Sequence, residues 1–379
     1  MSYCLNPHCP KPENPDDVKF CRTCGTKLLL KERYRAIKPI GQGGFGKTFL
    51  AVDEDKPSKP RCVIKQFYPQ AQGTNTLAKA VELFNQEAVQ LDELGKHPQI
   101  PELLAYFTQE DRQYLVQEFI DGQNLAQELA QKGAFNETQI RQLLNDLLSV
   151  LQFCHARQVI HRDIKPENII LRESDQKLVL VDFGAAKSAT GTALNQTGTS
   201  IGSPEYVAPE QMRGKAIFAS DIYSLGATCI NLLTGRSPFD SYDTNNDTWV
   251  WQQHLQTPIS NQLSPILNKM LESIPIRRYQ TVDKVLNDLN HQSEAAATSA
   301  IVAKPIPQSL PKSPPPFVSK SPTQLDRELE EMKTQFLGSS KPQSNKIQLP
   351  NPISQPSSQN KIDQELEELK AKYFGNNNP

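Results

Sequence analysis

The sequence has no long apolar run: no segment approaches the roughly 18 consecutive apolar residues that a membrane-spanning helix needs. The first residues, Met1–Cys9, also lack the apolar core of a secretory signal peptide. The formal net charge is only -1, so the charge indicates neither a nucleic-acid partner nor an anionic membrane surface. We therefore expect a cytoplasmic protein with no membrane span.

A cytoplasmic location would exclude structural disulfides, because a reducing compartment keeps thiols reduced. The 7 cysteines then need another explanation. Four of them crowd into the first 24 residues and are treated below. The others, Cys62, Cys154 and Cys229, stand in apolar contexts that are typical of buried packing residues.

Hydrophobic residues are also scarce, at 37% of the chain, and many of the 29 prolines lie late in the sequence. Residues 292–323 are rich in Pro, Ala, Ser and Lys and cannot bury enough apolar surface to offset the entropy lost on ordering. Composition thus predicts four segments: a cysteine-rich module at 1–30, a globular domain at 34–291, a disordered linker at 292–323 and a tail at 324–379.

The long segment changes its periodicity along the chain. Short β-rich runs at Tyr34–Ile40, Thr48–Asp53 and Cys62–Phe67 are separated by Gly and Pro. Apolar residues recur at helical spacing in Ala78–Leu94, and from Leu125 onward the helical period dominates. This pattern predicts an α+β architecture, with a small sheet-rich lobe followed by a larger helical lobe.

A glycine-rich turn separates the first two predicted strands. Its backbone N–H groups could bind phosphate oxygens, although a simple hairpin turn has the same appearance. The dinucleotide fingerprint fits less well, because that motif opens a helix, whereas Thr48 begins another strand. The candidate nucleotide-binding residues of this turn are Gly41, Gln42, Gly43, Gly44, Phe45 and Gly46.

Lys65 stands in an apolar strand, where an unpaired ammonium group would be costly. Glu87 on the predicted helix could supply its partner, which would leave Lys65 to bind phosphate oxygens. A surface lysine at a strand end is the simpler alternative for this pair considered alone.

The most specific run is HRDIKPEN at residues 161–168, followed 14 residues after Asn168 by Asp182-Phe183-Gly184. Together with the glycine-rich turn and Lys65, these residues match the signature set of protein kinases. The sequence resembles the bacterial eukaryotic-like (Hanks-type) serine/threonine protein kinases over residues 34–291. The resemblance implies a bilobal protein-kinase fold that binds ATP and Mg²⁺, with Mn²⁺ as an alternative ion.

The resemblance also implies a role for each catalytic residue. Asp163 would orient the substrate hydroxyl and accept its proton, and Lys165 would steady the γ-phosphate. Asn168 and Asp182 would hold the magnesium ions, and Lys65, paired with Glu87, would hold the α- and β-phosphates. Backbone groups of Glu118 and Ile120 would bind adenine, Gln117 would be the gatekeeper, and Thr48 stands where the family pattern usually has valine.

The segment from Asp182 to Glu210 resembles a kinase activation segment. Ser203 occupies the position that contacts the catalytic Asp and Lys in the family, and Thr197 and Thr199 stand where an activating phosphate would pair with Arg162. Two further residues are implied to be structural, namely Asp221 beneath the catalytic loop and Arg278 as the partner of Glu210.

The cysteines of the first segment form two pairs, Cys4 with Cys9 and Cys21 with Cys24, and Gly25 would permit a tight turn over a metal. This arrangement favours a zinc-ribbon-like module whose folding energy comes from Zn²⁺, with His8 as an alternative ligand to Cys9. Redox-active thiols, an iron–sulfur site and no site at all stay open. Some cyanobacterial kinases are similar in joining a four-cysteine N-terminus to the kinase domain.

The tail contains a repeat, with residues 325–333 matching residues 362–370. Each copy has apolar residues on one helical stripe but is short enough to be marginal as an isolated helix. Docking elements for a partner groove are one interpretation. Solvated helices without a partner are the other.

The sequence therefore predicts a serine/threonine protein kinase that acts on protein hydroxyl groups, its own included. A partner-binding scaffold with secondary kinase activity is the main alternative. A small-molecule kinase is disfavoured, because the long segment before Glu210 resembles a platform for peptide substrates.

Overall fold

The computed structural model of the chain describes residues 1–43, 46–68, 74–185, 187–188 and 203–290. Several predicted features lie outside the described residues, namely Gly44 and Phe45 of the glycine-rich turn, Thr197, Thr199, the linker and both tail repeats. Within the described part of the chain, no helix is long and apolar enough to cross a membrane.

A six-stranded antiparallel sheet forms the first lobe, in the strand order β3-β4-β5-β6-β8-β7. Alternation along β6 puts the side chains of consecutive residues on opposite faces, so that Lys65 and Gln66 point in different directions. The strands are β3 (Leu29–Leu30), β4 (Tyr34–Gly43), β5 (Gly46–Asp53), β6 (Arg61–Phe67), β7 (Leu103–Gln109) and β8 (Arg112–Glu118).

One long helix, α1 (Thr74–Leu94), crosses between β6 and β7. Its apolar residues Phe84, Ala88 and Leu91 are buried at the spacing that makes one helical face. Glu87 lies on the same side and is itself buried, so the helix presents a carboxylate to the sheet.

The second lobe is helical. Its helices are α2 (Leu125–Lys132), α3 (Glu137–Ala156), α4 (Pro209–Met212), α5 (Phe218–Thr234), α6 (Leu263–Met270) and α7 (282–290). Asn124 and Asn136 begin α2 and α3 with reciprocal capping boxes, which satisfy backbone N–H groups of the first turn. The predicted apolar stripe of α3 is buried, and α5 is buried on almost every side, so α5 forms the centre of this lobe.

Short strands between β8 and α4 carry the loops of the candidate site. The strands β9 (Gly122–Asn124), β11 (Ile169–Arg172) and β12 (Leu178–Leu180) form one sheet, and β10 (Val159–Ile160) pairs with β13 (Lys187–Ser188). Residues 161–168 therefore connect β10 to β11, and Asp182 follows β12. A further hairpin joins β14 (Tyr242–Asp243) and β15 (Thr248–Trp249).

The first 30 residues form a small module next to the sheet. β1 (Ser2–Tyr3) pairs with β2 (Glu13–Asn14), and Phe20 forms a β-bridge with Lys27. Its interior is a small cluster of Cys4, Cys21 and Leu28, while Leu5 joins the hydrophobic cluster of the large sheet. The predicted α+β fold, with a β-rich lobe followed by a helical one, is confirmed.

Candidate active site

A cavity of about 810 Å³ lies where the sheet, α1 and the loops of the helical lobe meet. Twelve of the predicted ATP-binding, catalytic and magnesium-binding residues line this cavity: Gly41, Gln42, Gly46, Thr48, Lys65, Glu87, Glu118, Ile120, Asp163, Lys165, Asn168 and Asp182. Gly43 is the last residue of β4. The tertiary fold thus brings together residues that are up to 141 positions apart in the chain, from Gly41 to Asp182.

Lys65 joins three separate elements. Its Nζ contacts Oε1 of Glu87 on α1 and lies 3.0 Å from Oδ1 of Asp182 after β12. Burial by itself would lower the pKa of Lys65, but the charges of Asp182 and Glu87 raise it above its usual value. The charge of Lys65 in turn lowers the pKa of Asp182 to about 2, so both groups are ionised at neutral pH.

Asp163 lies on the cavity floor with its carboxylate held from two sides. Nδ2 of Asn168 donates to Oδ2 of Asp163 at 2.9 Å, and the backbone N–H of Ser203 donates to Oδ1 at 3.0 Å. Nζ of Lys165 lies 3.0 Å from Oδ2 of Asp163 and donates to Oγ of Ser203 at 2.6 Å. The sequence predicted that Ser203 contacts Asp163 and Lys165, and in the structure it contacts both.

Two residues of the site have backbone conformations that are rare for L-amino acids. Arg162 has φ of 72° and Asp182 has φ of 67°. Such residues persist only where their surroundings hold them, and they concentrate at functional sites. Phe183, which follows Asp182, is buried and packs edge-on against His161 with ring centroids 4.7 Å apart.

The loop at 161–168 is supported from below by Asp221 on α5. Its carboxylate accepts hydrogen bonds from the backbone N–H groups of His161 and Arg162, each at 2.9 Å. Nε2 of His155 lies 2.9 Å from the same carboxylate. The sequence pointed to Asp221 but not to His155, which α3 contributes.

Glu210 and Arg278 form a buried ion pair at the end of the predicted activation segment. Nη1 and Nη2 of Arg278 donate to the two carboxylate oxygens of Glu210 at 2.7 and 3.2 Å. A bidentate pair of this kind fixes orientation as well as distance. The segment that ends at Glu210 is therefore anchored to the helical lobe.

Apolar residues line the cavity beside Gln117, Glu118 and Ile120. Val63 on β6 and Ile170 on β11 contribute to this lining, and so does Val181. Sequence reasoning did not select Ile170 or Val181 as binding residues. Their only sequence signal is their position as apolar residues next to the catalytic motifs. The lining suits the flat faces of an aromatic ring system such as a nucleobase.

The four N-terminal cysteines converge on one point. Their Sγ atoms all lie within 4.8 Å of one another, with 3.5 Å between Cys4 and Cys24 and 3.6 Å between Cys9 and Cys21. Thiolates that each lie about 2.3 Å from one tetrahedral zinc ion would be about 3.8 Å apart, so the four sulfurs fit such an ion.

The local environment of Cys21 favours a thiolate. Burial by itself would raise the pKa of Cys21, but N–H groups of Cys24, Thr23 and Asn14 lower it to about 6. The other three cysteines of the chain are buried, as expected, and all seven cysteines, which lie in the described part of the chain, are free thiols.

Comparison with known proteins places these features in one family. Residues 34–290 match the family model for the protein kinase domain. Serine/threonine-protein kinase B of Synechocystis sp. is 42% identical over 299 residues, which cover 76% of this chain and 52% of that protein. Serine/threonine-protein kinase C of the same organism is 47% identical over 251 residues, covering 64% and 46%. Serine/threonine-protein kinase PknA of Nostoc sp. is 41% identical over 268 residues, covering 69% and 47%. The chain thus spans about half the length of these relatives.

Proposed function

The chain belongs to the protein kinase family, and from this premise we propose that it is an active serine/threonine protein kinase. It transfers the γ-phosphoryl group of ATP to serine or threonine hydroxyl groups of proteins, its own chain included. The observation that carries this proposal is the double contact of Lys65, with Glu87 on one side and Asp182 on the other. These contacts hold a cation in the cavity at the meeting point of the two lobes.

The proposed mechanism relies on positioned charges, since phosphoryl transfer asks for little covalent chemistry from the protein. Lys65 binds α- and β-phosphate oxygens, and backbone N–H groups of the glycine-rich turn bind the others. Asp163 receives a hydrogen bond from Asn168 and lies beside Ser203, in a place where it can orient a substrate hydroxyl and accept its proton. Lys165, bonded to Ser203, meets the charge that develops on the γ-phosphate.

Asn168 and Asp182 would supply the oxygen atoms that hold magnesium. The amide nitrogen of Asn168 is turned toward Asp163, so its amide oxygen is the atom that can face a cation. A carboxylate and an amide oxygen are the hard ligands that Mg²⁺ prefers, and Mn²⁺ is an alternative. When bound, the ion neutralises charge on the phosphates.

The experiment compares the wild type with Asp163→Asn in transfer of labelled phosphate from ATP to the chain itself and to a protein substrate. Asp163→Asn keeps the shape of the side chain but cannot accept the proton, so transfer should fall by at least about a hundredfold. Asp92→Asn on the exposed side of α1 is the matched control. Equal transfer by Asp163→Asn and wild type would favour the alternative, a scaffold whose function does not depend on this site.

A structural zinc ion in the first segment is the second part of the proposal. Cys4, Cys9, Cys21 and Cys24 would hold it, because their sulfur atoms converge at distances that fit a tetrahedral site. A module of this size has almost no core of its own, so the metal would supply much of its folding energy. A redox-active set of thiols is the alternative.

Several other features stay predictions. They are the segment boundaries, the protein substrates, the cytoplasmic location, and the docking partner expected for the tail repeats.

A further inference from the structure

The outer face of the large sheet is covered by the cysteine module, defined here as residues 1–30. The ring of Tyr3 packs on Phe49 of β5 with centroids 5.6 Å apart, and Leu5 is buried against the same cluster. Arg35 of β4 donates to Oγ of Ser2 and to the carbonyl oxygen of Val18, both at 3.0 Å. The module is thus attached to the two strands, β4 and β5, that carry the glycine-rich turn.

Gln66 makes a further buried polar contact between the module and the sheet. Its Nε2 donates to the carbonyl oxygen of Leu5 at 2.8 Å and to the hydroxyl group of Tyr114 at 3.2 Å. The residue is 1% exposed. Leu5 directly follows Cys4 in the chain, so this amide contacts the module one residue from a cysteine of the cluster.

The backbone of Gln66 also touches the glycine-rich turn. Gly46 approaches its carbonyl so closely that a Cβ atom on Gly46 would lie 2.0 Å from that oxygen. Gln66 is, in addition, the immediate neighbour of Lys65 on β6. Gln66 therefore contacts the module through its side chain and the turn through its backbone. Its neighbour Lys65 contacts Glu87 and Asp182.

A single layer of residues from β4, β5 and β6 separates two cavities. A second cavity, of about 410 Å³, lies between the module and β4–β5. Five residues line both cavities, namely Ile40, Gly41, Gln42, Lys47 and Gln66. If the module moves, it displaces residues that also line the nucleotide cavity, because only one layer of residues separates the two cavities.

We propose that Gln66 is a positioning residue that couples the folded cysteine module to nucleotide affinity, by fixing the glycine-rich turn and Lys65 relative to Leu5. The inference rests on the proposed function, because it concerns the same nucleotide cavity. Through Gln66, the cysteine module would control nucleotide affinity without contacting the nucleotide itself.

Variants of the full chain test this route. Gln66→Met removes the amide while nearly conserving volume, and it should weaken MgADP binding about tenfold. The KM for ATP should rise by a similar factor, with a much smaller change in kcat, because the amide positions a binding wall and does not touch the reacting atoms. Tyr114→Phe is the matched control: it removes the other partner of the same amide and leaves Leu5 in place, so MgADP affinity should not change.

A double-mutant cycle then asks whether the module acts through Gln66. Cys24→Ser perturbs the module at an exposed cysteine, and it should weaken MgADP binding in the wild-type background. In the Gln66→Met background, the same change should have a clearly smaller effect, because coupled sites are non-additive. Hydrogen exchange provides a readout without activity: Cys24→Ser should speed exchange in peptides that cover residues 41–48.

Three results would overturn the inference: wild-type affinity in Gln66→Met, an equal loss in Tyr114→Phe, or additive effects of Cys24→Ser and Gln66→Met. If Gln66→Met does not fold, unchanged hydrogen exchange at 41–48 in Cys24→Ser would overturn it as well. Wild-type protein that binds no MgADP would contradict the proposed function itself. Binding that is equal in all variants would contradict only the role of Gln66.

Discussion

The carboxylate of Asp221 accepts the backbone N–H of Arg162 at 2.9 Å, and Arg162 has a left-handed φ of 72°. A helix in the second lobe thus holds the residue that precedes Asp163, the proposed catalytic base, in a conformation it would not adopt alone. Asp221 is fully buried, and the backbone of His161 and the ring of His155 donate to it as well. Removing this carboxylate would release the loop.

Replacing Asp221 is therefore expected to affect stability and activity together. Asp221→Ala leaves buried donors without an acceptor and should lower the free energy of unfolding by about 3–5 kcal/mol. Asp221→Asn keeps the shape and should cost less. Urea unfolding measures both variants, and Asp240→Asn near the surface is the control. A loss below about 1 kcal/mol for Asp221→Ala would contradict this role for Asp221.

The second prediction concerns pH. Burial lowers the pKa of His161, and the negative charges of Asp221, Asp163 and Asp182 offset part of that effect. The unfolded chain therefore binds a proton near the usual histidine pKa of about 6.5, while the folded chain does so only at lower pH. The contribution of neutral His161 to stability is present above about pH 6.5 and is lost as the pH falls toward the folded-state pKa.

Unfolding free energies of wild type and His161→Phe, measured from pH 7 to pH 5, check this sign. The phenyl ring can keep the packing on Phe183, whose ring centroid lies 4.7 Å away. The wild type should lose stability more steeply, by at most about 1.4 kcal/mol per pH unit for one proton. If the unfolding free energies of wild type and His161→Phe fall with equal slopes as the pH is lowered, another group causes the loss of stability at acid pH.

Lys65 is expected to be required for transfer but not for folding. Lys65→Met keeps the long apolar stem and removes the cation between Glu87 and Asp182. Transfer should fall at least about a hundredfold, since a fixed cation no longer meets the phosphates. Circular dichroism should match the wild type. Lys96→Met on the surface is the control. Activity of Lys65→Met within tenfold of wild type would remove Lys65 from the mechanism.

Activation should depend on Thr197 or Thr199, which lie outside the described residues. Arg162 is buried, and its Nε has no hydrogen-bond partner among the described residues, so a phosphate on the segment would give this Nε an acceptor. The double variant Thr197→Ala, Thr199→Ala should be about tenfold or more less active than phosphorylated wild type. Thr192→Ala is the matched control. Unchanged activity of the double variant would place regulation elsewhere.

The zinc proposal makes a quantitative prediction. Purified chain should contain about one zinc ion per molecule by mass spectrometry, because four converging thiolates complete one tetrahedral site. Cys21→Ser should lose the metal, and Cys62→Ala, which changes a buried packing cysteine, should keep it. Metal-free protein that forms a reversible disulfide on oxidation would support the redox alternative. If oxidation releases zinc before a disulfide forms, zinc binding and redox chemistry occur one after the other at the same cysteines.

Local patterns predicted the elements of this fold well. The strand at Tyr34–Ile40 extends to Gly43, and the helix predicted from Ala78 begins at Thr74. Both patterns rest on neighbouring residues, so burial on one face shows directly in the sequence. The motifs at 161–168 and 182–184 likewise pointed to the residues that meet in the cavity. His155, Ile170, Val181 and Gln66 carry no such local signal, because their partners are distant in the chain.

The sequence alone determined which side chains are proposed to carry the chemistry: Asp163, Asn168 and Asp182 are recognisable by type and spacing. Only the tertiary structure decided that Lys65 lies between Glu87 and Asp182, and that Gln66 binds the carbonyl oxygen of Leu5. The Gln66 amide has no periodic or motif signature, and its acceptor is a backbone atom that every residue possesses. Contacts of this kind depend on how the module packs on the sheet, and no local pattern specifies that packing.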